Sequence, residues 1–172
     1  STDALTLSID DGTALASASA TIVMASVNDA PSITASNAPY TATEQTALAL
    51  QGTGLSASDP DAGTSSLLFI LSVEAGSIQV QTGGTGVTTS SSPTGDTMAI
   101  QGTLSQLNRL LSGLDGATLT YTPLGDTPPA QDTLTLRLSD EGHNGLGGTQ
   151  FVERTLSICL LYTSPSPRDL ST

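Results

Sequence analysis

One stretch of this chain occurs twice, and that repetition limits what the chain can fold into more than any other feature. "DALTLSIDDG" (residues 3–12) returns as "DTLTLRLSDEG" (residues 132–142). Leu5, Leu7 and Ile9 fall on Leu134, Leu136 and Leu138, and Asp11 falls on Asp140, an offset of 129 residues. Further on, "TIVM" (21–24) matches "TLSI" (155–158) less closely, after a loop that is longer in the second copy. Two appearances of one terminal hairpin indicate tandem modules. Residues 1–27 then read as the last two strands of one module and 32–158 as most of the next, with 28–31 as the linker. Two strands alone are marginal in water, so 1–27 is expected to be poorly supported by itself.

Within 32–158 the pattern is that of an antiparallel β protein. "TALALQG" (46–52) alternates, and "LLFILSVEAGSIQV" (67–80) reads as two strands around a tight turn at Ala75-Gly76. "TMAIQG" (97–102), "ATLTYTP" (117–123), "DTLTLRLSD" (132–140) and "QFVERTLSI" (150–158) follow, separated by Gly, Pro, Asp and Ser clusters. "SSPTGD" (91–96), with "TGGTG" before it, reads as a flexible surface loop. One segment leaves the strand period: Leu104, Leu107, Leu110, Leu111 and Leu114 recur at helical spacing. Thr103 with Gln106 fits a capping box, and Gly113 fits the left-handed residue beyond the C-terminus. The leucine stripe is what docks a short helix on the sandwich.

Charge sorts the partners. The chain has 4 Lys+Arg, none of them Lys, against 16 Asp+Glu, for a net charge of −12. Nucleic acid and anionic lipid both depend on Lys/Arg contacts, so neither is an expected partner. Hard cations, which prefer carboxylate and carbonyl oxygens, suit this composition better. No apolar run approaches the roughly 20 residues that span a bilayer, so direct membrane insertion is not expected. Against that background, Asn28 and Asp29 standing side by side before Pro31 read either as a plain turn or as a metal-bound hinge between modules.

After Ile158 the repeat pattern ends. "CLLYTSPSPRDLST" (159–172) carries the lone Cys159 and resembles the translation of a sequencing-adapter read-through, so 159–172 is expected to be a non-native tail. Without it the chain has no cysteine, and neither a disulfide framework nor a thiol nucleophile is available.

"VNDAP", "TEQTALALQG", "SASDPDAG", "LSVEAGSIQV", "GTLSQLNRLLSGL", "LTYTP" and "DTLTLRLSDEG" occur in the order seen in the cadherin-like tandem repeats of large bacterial surface adhesins, the RTX-type biofilm adhesins. The chain resembles one such repeat over nearly all of 1–158. The resemblance implies an all-β, seven-strand Greek-key sandwich of cadherin or immunoglobulin type with one short helix. It further implies a secreted, extracellular protein of the bacterial cell surface, calcium at the junctions between neighbouring repeats, and a role in adhesion to a target the residues do not identify.

In such a sandwich, if the first strand leaves the linker end, the loop holding Asp59 and Asp61 and the loop holding Asp140 return to that same end. Asn28, Asp29, Asp59, Asp61 and Asp140 are therefore the expected Ca2+ ligands, because carboxylates converging on one pole repel unless a cation neutralises them. Asp59-Pro60-Asp61 also fits an ordinary turn. Glu44 resembles the early acidic residue that cadherin-like modules use at the opposite pole. Two departures from the cadherin pattern stand out: Ser26 holds the acidic position before the linker, and "TYTPLGD" leaves only Asp126 for the acidic segment after the middle strands.

The expected function is a calcium-stiffened spacer or adhesion module. A glycan- or protein-binding sandwich is the alternative, with Tyr40, Phe69, Tyr121 and Phe151 as the few aromatic candidates, of which Phe69 reads as core. Catalysis comes last. No G-x-S-x-G elbow, H-E-x-x-H pair or phosphate loop is present, His143 sits in a loop without a partner pattern and reads as solvated, and nothing aromatic would hold a sugar beside an Asp59/Asp61 pair.

Overall fold

The computed structural model describes residues 2–36, 39–89, 94–125, 128–143 and 145–161. Its first element is a hairpin, β1 (Thr2–Asp10) against β2 (Leu15–Val23), paired in register from Thr2↔Val23 to Asp10↔Leu15. Asp11 closes the turn by accepting from the backbone N–H groups of Thr13 and Ala14 and from the Thr13 hydroxyl. Those hydrogen bonds, the Thr13 hydroxyl first, hold its carboxyl below the ordinary 3.8. Every residue of both strands is exposed.

The rest is a mostly β fold about one apolar core. Short strands β3 (Ser32–Thr34) and β4 (Tyr40–Thr43) lead to β5 (Leu48–Ala49) and β6 (Ser56–Ser58). Then come β7 (Ser66–Ser72), β8 (Gly76–Gln81), β9 (Thr88–Thr89), β10 (Thr94–Gly95) and β11 (Thr97–Thr103). Helix α1 (Leu104–Leu111) and a 3-10 turn (Leu114–Gly116) precede β12 (Thr118–Pro123), β13 (Gln131–Ser139) and β14 (Phe151–Leu161). One sheet runs β4-β14-β13-β7-β11-β9, a second β10-β8-β12-β5, and β3 pairs with β6. All neighbours are antiparallel except β4, which adds to β14 in parallel.

Period-two patterning accounts for the layers. In β7 and β13 the inward residues Leu67, Phe69, Leu71, Leu134, Leu136 and Leu138 are all buried, while Ser66, Thr133 and Arg137 face outward. From the other sheet, Ile78, Val80, Leu119 and Tyr121 close on the same core. A fully buried side chain of this size contributes about 1.5–3 kcal/mol. The helix forms as its sequence dictates. Thr103 caps Gln106 N–H, Gln106 reaches back to Thr103 N–H, and Gly113 takes the left-handed conformation. Leu107, Leu110 and Leu111 are buried, Leu104 packs at the core edge, and Leu114 is exposed. Asn108 pins the helix to β6 by donating to Ala57 C=O and accepting from Ala57 N–H.

Three local expectations differ from what forms. The 46–52 stretch yields only the two-residue strand β5, because Leu50 and Gln51 N–H both turn onto Leu119 C=O and the Gln51 side chain accepts from Leu119 N–H. The 91–96 loop has structure at its end: Thr94 and Gly95 pair with Gln79 and Ile78. Residues 90–93 lie outside the described residues. The break in the repeat pattern at Cys159 is not a break in the strand, since β14 continues to Leu161. Cys159, Leu160 and Leu161 pair with Thr41, Ala42 and Thr43 of β4, and Leu160 is buried. The edge offered by β4 explains this continuation. Residues 162–172 and Asp126 lie outside the described residues.

Candidate metal centre

Three segments meet where the linker joins the body: residues 26–29, the connection from β6 to β7, and the connection from β13 to β14. Each is shaped by local chemistry. Asp59 Oδ1 accepts from the N–H groups of Asp61 and Ala62, both at 3.1 Å, which is the Asx turn that an Asp-Pro-Asp run favours. Asp140 Oδ1 accepts from Gly142 N–H at 2.7 Å and Gln150 N–H at 2.8 Å, tying both ends of its loop together. The linker then lies against both turns. Asn28 Nδ2 donates to Asp140 Oδ2 at 2.5 Å and to Gly148 C=O at 2.7 Å, and Asp29 N–H donates to Asp61 Oδ2 at 3.0 Å.

The five residues differ in what they still offer. Asn28, Asp59 and Asp140 are buried, Asp61 is partly buried, and Asp29 is exposed. Asn28 Oδ1, Asp59 Oδ2 and Asp61 Oδ1 are shut off from solvent and make no hydrogen bond. Buried oxygens in that condition are costly and call for a partner. Asp140, in contrast, spends both oxygens on hydrogen bonds and orients Asn28. Asp29 reaches the cluster through its backbone N–H.

Electrostatics separate the two loop carboxylates. Burial raises the Asp59 pKa above the ordinary 3.8, and the neighbouring Asp61 carboxylate pushes the same way. Asp61 is lowered, first by the Asp29 N–H and then by Asp59. One of the pair favours its proton while the other favours its charge, the usual outcome for close carboxylates without a counter-ion.

A hard cation would meet one amide oxygen and two carboxylate oxygens here, a donor set that fits calcium once backbone carbonyls and water complete six to eight ligands. Asn28, Asp59 and Asp61 would hold it. The donor set has only two carboxylates, and no cluster of three or more His, Cys, Asp or Glu side chains suited to a metal occurs among the described residues. Glu44 stands elsewhere. Its N–H donates to Leu161 C=O at the end of β14 opposite to the Asp140 loop.

A second polar group escaped the sequence reading. Asp132, buried at the start of β13, accepts from Tyr121 Oη at 2.7 Å and from the N–H groups of Glu74, Ala75 and Thr133. All its donors are protein groups and it is saturated, so its work is structural. Burial, reinforced by Asp132, pushes the Tyr121 hydroxyl well above its usual range. Tyr121, Phe69 and Tyr40 are buried, whereas Phe151 is exposed beneath Arg137, whose guanidinium lies 4.1 Å from the ring centre. His143 is exposed.

The chain matches no protein-family model and no curated protein sequence.

Proposed function

We propose that this chain is a calcium-stiffened spacer module of a secreted bacterial surface adhesin, one unit in a row of similar repeats. The observation that carries the reading is the set of three buried, unpartnered oxygens, one from the linker and two from the β6–β7 loop. A cation bound by Asn28, Asp59 and Asp61 joins the linker to the body, and so fixes the direction in which the preceding strands leave. Calcium supplies positive charge and loose oxygen coordination; the residues supply placement and shielding from water. Sites of this kind in extracellular modules bind at roughly 10⁻⁴–10⁻³ M, which suits surroundings where calcium is abundant.

The finer fold reading, a seven-strand Greek-key sandwich of cadherin type, belongs to the same proposal. Its support is the exchange of the first strand between sheets, β3 on β6 and β4 on β14, with β9, β10 and β11 outside that count. The glycan- or protein-binding alternative draws less support, because Phe151 is a lone exposed ring.

Calcium titration of the protein in chelator-treated buffer, followed by calorimetry and X-ray scattering, tests the proposal. Saturable binding with a narrower distribution of shapes is expected, and Asp59→Ala with Asp61→Ala removes both. Titration without heat and without a change of shape overturns it.

A further inference from the structure

The two copies of the repeated hairpin differ chiefly in the turn. In the first copy residues 11–14 connect the strands, while in the second a longer segment, 140–150, does so. The additional residues are not a loose excursion. Leu146 forms a parallel bridge with Val27 of the linker, Asn28 N–H donating to Leu146 C=O and Leu146 N–H to Ser26 C=O, both at 2.9 Å. Gly148 C=O takes one hydrogen of the Asn28 amide, and Asp140 takes another contact from the same nitrogen.

Gly145 has a reason to be glycine that is independent of its own turn. Its φ lies outside the left-handed region, so the backbone there would accept any residue. A β-carbon at this position would instead overlap the Asn28 nitrogen and lie 2.6 Å from the Val27 carbonyl carbon, which are backbone atoms that cannot rotate away. Gly147 and Gly148, both at positive φ, then turn the loop back so that the Gly148 carbonyl faces Asn28.

We propose that the Gly145–Gly148 segment is a strap that locks the linker onto the module by protein contacts alone. Residues 26–28 are held before any cation arrives. A cation then reinforces the contact that Asp29 N–H already makes with the Asp59–Asp61 turn, and the swivel between consecutive modules lies on the N-terminal side of Ser26. The first hairpin, with its four-residue turn, has no such strap. The inference concerns the proposed calcium junction but does not rest on it, since each contact is between protein atoms.

Amide hydrogen exchange of the full chain in EDTA, read residue by residue by NMR, tests the strap. The Asn28 and Leu146 amides are expected to exchange roughly tenfold or more slowly than unprotected amides, as opening the bridge is then required first. In Gly145→Ala both are expected to lose that protection while Leu136 and Phe69 keep theirs. Unprotected Asn28 and Leu146 amides in EDTA, becoming slow only with calcium, overturn the strap and leave the calcium reading standing. Unchanged protection in Gly145→Ala overturns it as well. If that variant unfolds, the EDTA result on the unaltered chain decides. Protection in EDTA with no calcium effect anywhere upholds the strap and removes the calcium reading.

Discussion

The Asn28 side-chain nitrogen donates to Asp140 Oδ2 across 112 residues of sequence, at 2.5 Å and within the protein interior. Because that nitrogen also donates to Gly148, the amide is held in one orientation, and its oxygen is left buried without a partner. Asn28→Asp exchanges the donor for a carboxylate set against Asp140. Buried like charges with a lost hydrogen bond are expected to cost about 2–4 kcal/mol in EDTA at neutral pH, measured by urea unfolding. Acidification is expected to recover part of the loss as one carboxyl takes up the shared proton.

Asp59 is a site where stability gives way to binding. Its raised pKa means that the folded state disfavours its charge, so above 3.8 this group weakens the metal-free fold. Asp61 acts in the opposite sense: its lowered pKa contributes stability above 3.8 that disappears as pH falls through its folded value. The chelated protein is therefore expected to gain slightly on acidification toward 3.8 and to lose below it. Asp59→Asn keeps an oxygen for the Asx turn but removes the charge. It is expected to raise the melting temperature in EDTA and to abolish the calcium-induced rise, which at tenfold excess over the dissociation constant is worth about 1.4 kcal/mol. Differential scanning calorimetry across pH, with and without calcium, reads both effects.

At the other end of β13, Tyr121→Phe leaves Asp132 buried with one donor fewer. A hydrogen bond to a charged group is worth about 1.5–3 kcal/mol, and that loss is expected in urea unfolding. Asp132→Ala is expected to cost more, because the N–H groups of Glu74 and Ala75 lose their acceptor together with the Tyr121 hydroxyl. Both changes are expected to leave calcium binding intact, as they lie at the pole away from Asn28.

Those contrasts show what the sequence made visible. The capping box at Thr103 and Gln106 was legible because cap, helix and stop lie within eleven consecutive positions. The core leucines of β13 were legible because strand alternation is local and the same pattern occurs at Leu5, Leu7 and Ile9. Asp132 was not, since its donors at Glu74 and Ala75 are 58 and 57 positions away and nothing near it announces them. In the sequence Gly145 is one more glycine between β13 and β14. Only the approach of the Asn28 backbone reveals why a side chain is excluded there. The sequence makes Asn28, Asp29, Asp59, Asp61 and Asp140 equal candidates, yet the hydrogen bonds divide them: Asn28, Asp59 and Asp61 present unused oxygens, and Asp140 positions Asn28. That division depends on which lone pairs the loop amides occupy, a matter of three-dimensional register.

The first hairpin yields the last prediction. Leu5, Leu7 and Ile9 are 55%, 71% and 72% exposed, whereas their counterparts Leu134, Leu136 and Leu138 are 0% exposed. Identical patterning therefore buries a stripe in one place and presents it to solvent in the other, and burial rather than strand propensity is what stabilises a sheet. Removing residues 1–23 is expected to shift the unfolding free energy of the body by less than about 0.5 kcal/mol, the usual range for exposed positions. The same removal is expected to lower self-association in sedimentation runs, because a bare strand edge with an apolar face pairs readily with another copy. A loss of stability well beyond that range, with sedimentation unchanged, would mean that the hairpin packs on the body, and that the linker carries more than direction.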